Sequence, residues 1–395
     1  MTKKRIGIVS NTSWSIYNFR LGLILELRKQ GYEVILIAPE DTFSSKLLEQ
    51  GFIFCHVAMD KSGTNPLKDL WTLRKLVRVY QSNRLDFIFH YTIKPNVYGT
   101  MAAAICGIPS IAITTGLGHL TSFRNPLTSF ISLVLYKIAA ILTKEMWFLN
   151  SSDIGSFTSR GIVRRKKAYL LNSEGINVQH FKPLESYVPK ASEKLRLLYA
   201  GRIIWDKGIK ELVAAATILR RKYDNIEFQL LGFIDATDPN GVSHAQIQAW
   251  QQEGILKYKG ETDDVRPFLQ AASCLVFPSF YREGVSRILL EAAAMAKPIV
   301  TTDNVGCREV VQHGVNGLLT ERRNIADLVA KIEQIIKMTP EERHEMGCKG
   351  RELVVRQFDE ALIIQKYLET LQHYLPQHSL SLASKAGVQK KQDSC

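Results

Sequence analysis

Residues 277–303 read FPSFYREGVSRILLEAAAMAKPIVTTD. This is a β-rich run, a loop, a Leu/Ala segment of helical character and a second β-rich run, which together form a strand–helix–strand unit. Glu283 falls in the loop, and Glu291 lies eight residues on, inside the helix. Between them Gly284, Val285 and Ser286 span the helix N-terminus, where unpaired N–H groups and the helix dipole favour an anion. Two readings are open. The glutamates decorate the surface of an ordinary βαβ unit, or they flank a phosphate-binding turn. The second suits a nucleotide-sugar, with one acid for sugar hydroxyls, the diphosphate on the N–H groups and one acid for the ribose.

The same alternation runs through the chain. Short β-rich runs occur at 5–9 and 33–38, with helical periodicity over 18–30 between them, and further strands are expected at 53–57, 86–91, 110–114, 146–149 and 168–171. Strands at 195–200 and 228–233 and helices at 265–272, 325–337, 340–356 and 358–374 continue the pattern. Such alternation implies doubly wound α/β domains with their sites at the C-terminal ends of the strands. A polar segment with two prolines, 172–193, reads as the linker between two of them. The expected organisation is a first domain over 1–185, a second over 186–357, a helix over 358–375 crossing back to the first domain, and a disordered tail over 376–395.

Charge is unevenly spread. Residues 1–190 hold 24 Lys+Arg and 12 Asp+Glu, and the rest hold 27 and 26, so nearly all of the +13 sits in the first half. An anionic partner is implied: an acidic membrane surface, a phosphorylated acceptor or nucleic acid. Without a zinc-finger or RRM signature, nucleic acid ranks last and is not expected. The apolar runs 101–115 and 131–142 fall short of the ~18 residues of a spanning helix, and no signal peptide is expected at MTKKRIGIVS. Residues 123–144 form a mostly apolar helix, either core or a face resting on a membrane, and the 164–167 run (RRKK) would add attraction to anionic lipid. Six cysteines without regular spacing read as free thiols.

Basic residues mark several strand ends. Gly201-Arg202 follows the strand 195–200, and Lys207-Gly208 opens the next helix, so two cations can converge on one anion. Arg20, near the start of the first helix, either holds an acceptor phosphate or is an exposed helical arginine. Lys94 follows the strand 86–91 and is a second candidate for acceptor binding. His119 follows the pair Gly116 and Gly118 at the end of the strand 110–114, where it is either structural or part of the site.

Glu283-x7-Glu291 followed by Lys297-Pro298-Ile299-Val300 resembles the paired-glutamate signature of the retaining GT-B glycosyltransferases of family 4. The resemblance runs from Ile6 to about Leu371. It implies two Rossmann-like domains facing a cleft, with acceptor on the first and donor on the second. Arg202 and Lys207 match the pair that holds the donor diphosphate. Glu283 would orient the transferred sugar and Glu291 the ribose, with Gly201, Gly284, Val285 and Ser286 completing the phosphate side. Val265 would pack beside the nucleobase, and His119 would bind a sugar hydroxyl. Glu283, His119, Arg202 and Lys207 are thus the expected catalytic set.

The loop Thr115-Gly116-Leu117-Gly118 resembles the subgroup that extends undecaprenyl-diphosphate-linked sugars, some of which move N-acetylgalactosamine. The resemblance therefore implies transfer from a UDP-sugar to a polyprenyl-diphosphate-linked saccharide by a peripheral protein on the inner face of the plasma membrane. No metal or other cofactor is expected, since no Asp-x-Asp pair occurs. Three departures stand out. The turn SNTSWSIYNFR lacks glycine, Asn177 replaces an aspartate, and Ser286 stands where many relatives have proline. A UDP-sugar epimerase of the same architecture, or a transferase with a soluble acceptor, is the alternative.

Overall fold

The computed structural model describes residues 3–59, 66–116, 126–184, 194–235, 238–282 and 284–375. Two compact units make up the chain. The first comprises the chain up to Ile113, Ile138–Met146 and the chain from Ile363, and the second comprises Thr114–Lys137 and Trp147–Leu362.

One sheet contains β1 (Arg5–Val9), β2 (Glu33–Ala38), β3 (Ile53–His56), β4 (Phe87–Tyr91), β5 (Ser110–Thr114), β6 (Glu145–Phe148) and β7 (Ala168–Leu170), in the order β3-β2-β1-β4-β5-β6-β7. The other contains β8 (Leu195–Ala200), β9 (Ile226–Leu231), β10 (Lys257–Tyr258), β11 (Cys274–Phe277), β12 (Ile299–Thr302) and β13 (Gly317–Thr320), in the order β10-β9-β8-β11-β12-β13. Every pairing in the second sheet is parallel. Helices cover both faces of such sheets, which is why β4, β5 and β11 are mostly apolar and wholly buried.

Local chemistry moves several boundaries. The first helix is Ser13–Lys29, five residues ahead of the expected start at 18, because the Thr12 hydroxyl caps it by accepting from the Ser15 N–H. β9 ends at Leu231 rather than 233, since Gly232 turns the backbone to φ +150°. The apolar helix is Pro126–Leu142, and residues 123–125 lie outside the described residues.

The expected linker over 172–193 is ordered in its first part. Asn177 Oδ1 accepts from the Gln179 and His180 N–H groups, and its amide donates to Glu360 Oε1 at 2.6 Å. An Ile176–Asp359 bridge lies alongside. Asparagine therefore fills the turn-closing role that an aspartate side chain would fill. Residues 185–193 and the tail 376–395 lie outside the described residues.

The last helix, Glu360–Tyr374, contributes aromatic rings to the first unit. Tyr367 packs 4.9 Å from the Phe89 ring, and its hydroxyl accepts from Tyr91 at 3.0 Å. Tyr374 lies against Phe87 and donates to Glu145.

Candidate functional site

β8 and β11 are neighbours where the strand order of the second sheet reverses. Loops diverge in opposite directions at such a point and leave a crevice beyond the strand ends. The loop after β8 is drawn in tightly. A Cβ on Gly232 would lie 1.8 Å from the Gly201 carbonyl oxygen, so the ends of β8 and β9 approach as only glycine allows. A 3₁₀ turn, Trp205–Lys207, then leads into the helix Ile209–Arg220 through Gly208 at φ +78°.

That turn carries Lys207 into the interior, where it is 6% exposed. Its ammonium lies 5.1 Å from the centre of the Phe277 ring and 5.2 Å from that of Tyr281. Arg202, at the surface, places its guanidinium 5.7 Å from the same Tyr281 ring. Burial, helped by the charge on Arg202, pushes the Lys207 ammonium down to about 7. Two cations thus converge on one aromatic ring at the strand ends. Tyr281 was not anticipated from sequence, since its place between Arg202 and Lys207 depends on two loops some 75 residues apart.

The loop after β11 is held to the first loop through its backbone. The N–H groups of Phe280 and Tyr281 both donate to the Asp206 carbonyl, at 3.1 and 2.9 Å. The Asn304 amide donates to the Tyr281 carbonyl at 2.8 Å. Glu283 lies outside the described residues. Gly284 is buried and Val285 packs against the core. Ser286 is the N-cap of the helix Arg287–Ala294 and makes no capping bond with its side chain. The N–H groups of that first turn are therefore not taken by the Ser286 hydroxyl.

Glu291 lies in this helix and is mostly buried. Burial pushes its carboxyl up, and Arg287 opposes that shift through an ion pair at 3.1 Å. Arg287 also donates to the Gly175 carbonyl. Its spacing from Glu291, one helical turn, was the available sequence signal for this pair. The Asp264 charge also reaches Glu291, and Asp264 in turn holds Arg266 through both carboxylate oxygens at 2.8 Å. Val265, between them in sequence, is the N-cap of the helix Arg266–Ala271 and packs on the core. The Asp264 charge thus acts on Glu291, and Val265 is next to Asp264 in the chain.

The first-sheet candidates are placed differently. Arg20 is 3% exposed, which excludes the exposed helical arginine. Its guanidinium stacks 3.9 Å from the centre of the Tyr91 ring and donates to the Ser15 carbonyl at 2.7 Å. Lys94 forms an ion pair with the buried Asp69 at 2.7 Å, and Asp69 also accepts from the Tyr98 hydroxyl. Leu117, Gly118 and His119 lie outside the described residues.

Residues 5–145 match the family described as Glycosyl transferase 4-like, and residues 185–353 match Glycosyl transferases group 1. The N,N'-diacetylbacillosaminyl-diphospho-undecaprenol alpha-1,3-N-acetylgalactosaminyltransferase of Campylobacter jejuni is 30% identical over 381 residues, or 92% of this chain and 97% of that protein. Among solved structures, a glycosyltransferase from Rickettsia africae superposes with a TM-score of 0.78 at 17% identity, covering 95% of this chain and 99% of that one. HepE of Anabaena, solved in complex with UDP, gives 0.75 at 20% identity, covering 94% and all of that chain. With two parallel-sheet α/β domains and a relative matched along almost its whole length, the chain belongs to the group 1, family 4 glycosyltransferases of GT-B fold.

Proposed function

We propose that this glycosyltransferase moves a hexose or N-acetylhexosamine from a UDP-sugar to a polyprenyl-diphosphate-linked saccharide in bacterial surface-glycan assembly, with retention of anomeric configuration. The observation that carries this reading is the convergence of Arg202 and buried Lys207 on Tyr281 at the ends of β8 and β11. The difficult event is departure of the nucleoside diphosphate, as the bond from the sugar C1 to the β-phosphate oxygen breaks and charge builds on that oxygen. Arg202, Lys207 and the N–H groups at Val285 and Ser286 would stabilise that charge from fixed positions, which is commonly the largest catalytic effect. Glu283 would orient the transferred sugar, His119 would bind one of its hydroxyls, and Glu291 would hold the ribose. Arg20 and Lys94 supply the cations on the acceptor side.

The donor class draws support from the UDP bound to HepE, and the acceptor class from the activity named for the Campylobacter relative. Two cationic side chains do for the leaving diphosphate what a divalent ion does elsewhere, so we infer metal-independent transfer. The test is a panel of UDP- and GDP-sugars with and without a polyprenyl-diphosphate-linked sugar, run with and without EDTA. The expected result is transfer from a UDP-sugar only when the lipid acceptor is present, undiminished by EDTA. Conversion of a UDP-sugar with no acceptor would make the protein an epimerase, and strict Mn²⁺ dependence would overturn the metal-free reading.

A lipid-linked acceptor requires the protein to work at a membrane, yet no helix among the described residues is long and apolar enough to cross one. Peripheral docking fits two helices. On Pro66–Ser82, Leu67, Leu70 and Trp71 are exposed together with Lys68, Arg74 and Arg78, and Lys75 lies 3.7 Å from the Trp71 ring centre. On Pro126–Leu142, Phe130, Val134, Ile138 and Ile141 are exposed at helical spacing beside Lys137. Apolar side chains ringed by lysine and arginine suit an anionic bilayer, where each basic residue contributes about 1 kcal/mol. Replacing Leu67, Leu70 and Trp71 together with serine is expected to lower binding to vesicles containing phosphatidylglycerol about tenfold or more, with turnover of a short-chain acceptor unchanged. Equal vesicle binding by the triple variant would remove this helix from the docking surface.

A further inference from the structure

Glu283 has described neighbours on both sides, and one short segment, more than 125 residues earlier, holds both of them. The Asn150 amide donates to the Gly284 carbonyl at 3.1 Å. The Arg282 guanidinium donates to Asp153 Oδ1, also at 3.1 Å. All of these residues belong to the second unit. Asn150 and Asp153 also lock each other. Asn150 Oδ1 accepts from the Asp153 N–H at 2.8 Å, and the Asn150 amide donates to Asp153 Oδ2 at 3.0 Å. Asp153 is 0% exposed and Asn150 1%.

The space around Gly284 is closed as well. A Cβ there would lie 2.5 Å from the Thr115 carbonyl oxygen and 3.1 Å from the Leu149 side chain.

Stability alone does not account for this arrangement. Asn150 caps the helix Ser151–Ser159 through the Asp153 backbone N–H, a bond that does not use the Asp153 carboxylate. A buried carboxylate is costly to keep, and burial pushes the Asp153 carboxyl up even though Asn150 and Arg282 oppose it. Arg282 also keeps its buried Nε without a partner among the described residues, a further cost to folding.

We propose that Asn150 and Asp153 are positioning residues for sugar transfer. By gripping Arg282 and the Gly284 carbonyl they set the path of the chain on each side of Glu283. The inference rests on the reading of Glu283 as the carboxylate that orients the transferred sugar. Misplacing a reacting group by about 1 Å costs on the order of 10²-fold in rate.

The experiment compares kcat and donor KM for Asn150→Ser, Asp153→Asn, Glu283→Gln and the Asn150→Ser/Glu283→Gln double variant. Serine keeps the helix cap but has no amide to reach Gly284, so a purely structural asparagine would be replaced at a cost in stability but with kcat unchanged. Asn150→Ser is expected to lower kcat about 10- to 100-fold with donor KM within about twofold, and Asp153→Asn is expected to behave likewise. In the Glu283→Gln background, Asn150→Ser is expected to cost less than about twofold more, because residues acting through one another are not additive. Wild-type kcat in Glu283→Gln would remove Glu283 from the mechanism and the inference with it. Loss in Glu283→Gln alongside wild-type kcat in Asn150→Ser, or losses that multiply in the double variant, would overturn the positioning role alone.

Discussion

Lys207→Met is expected to reduce transfer at least about 10³-fold in kcat/KM while raising the melting temperature. Removing one preorganised donor from a developing oxyanion commonly costs about 10²–10³-fold, and Lys207 would contribute a full charge. The stability gain follows from linkage. In the folded protein burial depresses the Lys207 ammonium from 10.5 to about 7. Between these values the unfolded chain binds a proton that the folded chain does not, so stability rises with pH across that window. Below about 7 the folded chain carries the whole cost of a buried charge, and methionine removes it. The gain in melting temperature should therefore be larger at pH 6 than at pH 10.

The same group makes donor binding sensitive to pH in the wild type. A bound diphosphate favours the charged ammonium, so binding takes up a proton above pH 7, and affinity for UDP is expected to fall by up to tenfold per pH unit from 7 towards 9. Calorimetric titration of UDP from pH 6 to 9 measures this. Binding that does not change with pH, or a methionine variant with native turnover, would separate Lys207 from the diphosphate.

Gly208→Ala carries the second large effect. Gly208 has φ +78°, and a Cβ there would lie 2.1 Å from the Pro278 carbonyl oxygen and 2.7 Å from its carbon. Both contacts are with backbone, which does not yield as a flexible side chain would. Left-handed strain of about 1–2 kcal/mol combines with overpacking of about 1–3 kcal/mol, so the variant should lose about 3 kcal/mol. Donor affinity should fall too, since Pro278 opens the loop that leads to Tyr281. Gly260→Ala is the matched control. Its φ is +77°, but nothing lies within 4 Å of the added Cβ, so it should lose only the backbone strain. Thermal unfolding of the two variants measures the difference. Equal losses would show that the contact with Pro278 adds nothing.

Much of the architecture was legible because it is written in short-range patterns. The strand 195–200 and the helix 325–337 coincide with β8 and with Ile325–Lys337. In both cases burial on a covered face demands a periodicity visible within one element. Ser286 could be placed at a helix start from its neighbours alone. The first helix begins ahead of its visible periodicity, at Ser13, because the Thr12 side chain caps it.

Side-chain company was far less legible. Of the two readings of Arg20, as an acceptor-side or an exposed arginine, burial against Tyr91 excludes the exposed one. Lys94 stands at a strand end in the sequence, and only the fold shows its pairing with Asp69, 25 residues earlier. Arg287 carries no sequence signal beyond its one-turn spacing from Glu291, with which it forms an ion pair.

Sequence by itself determined the alternating elements, the two parallel sheets and the residue types at their strand ends, since each depends on neighbours a few positions apart. Only tertiary structure decided that Lys207 sits between aromatic rings with a depressed ammonium, and that Asn150 reaches Gly284 across 134 positions. Burial and desolvation depend on which distant loops the strand order brings together, and those neighbours are set by chain crossings that no local pattern records.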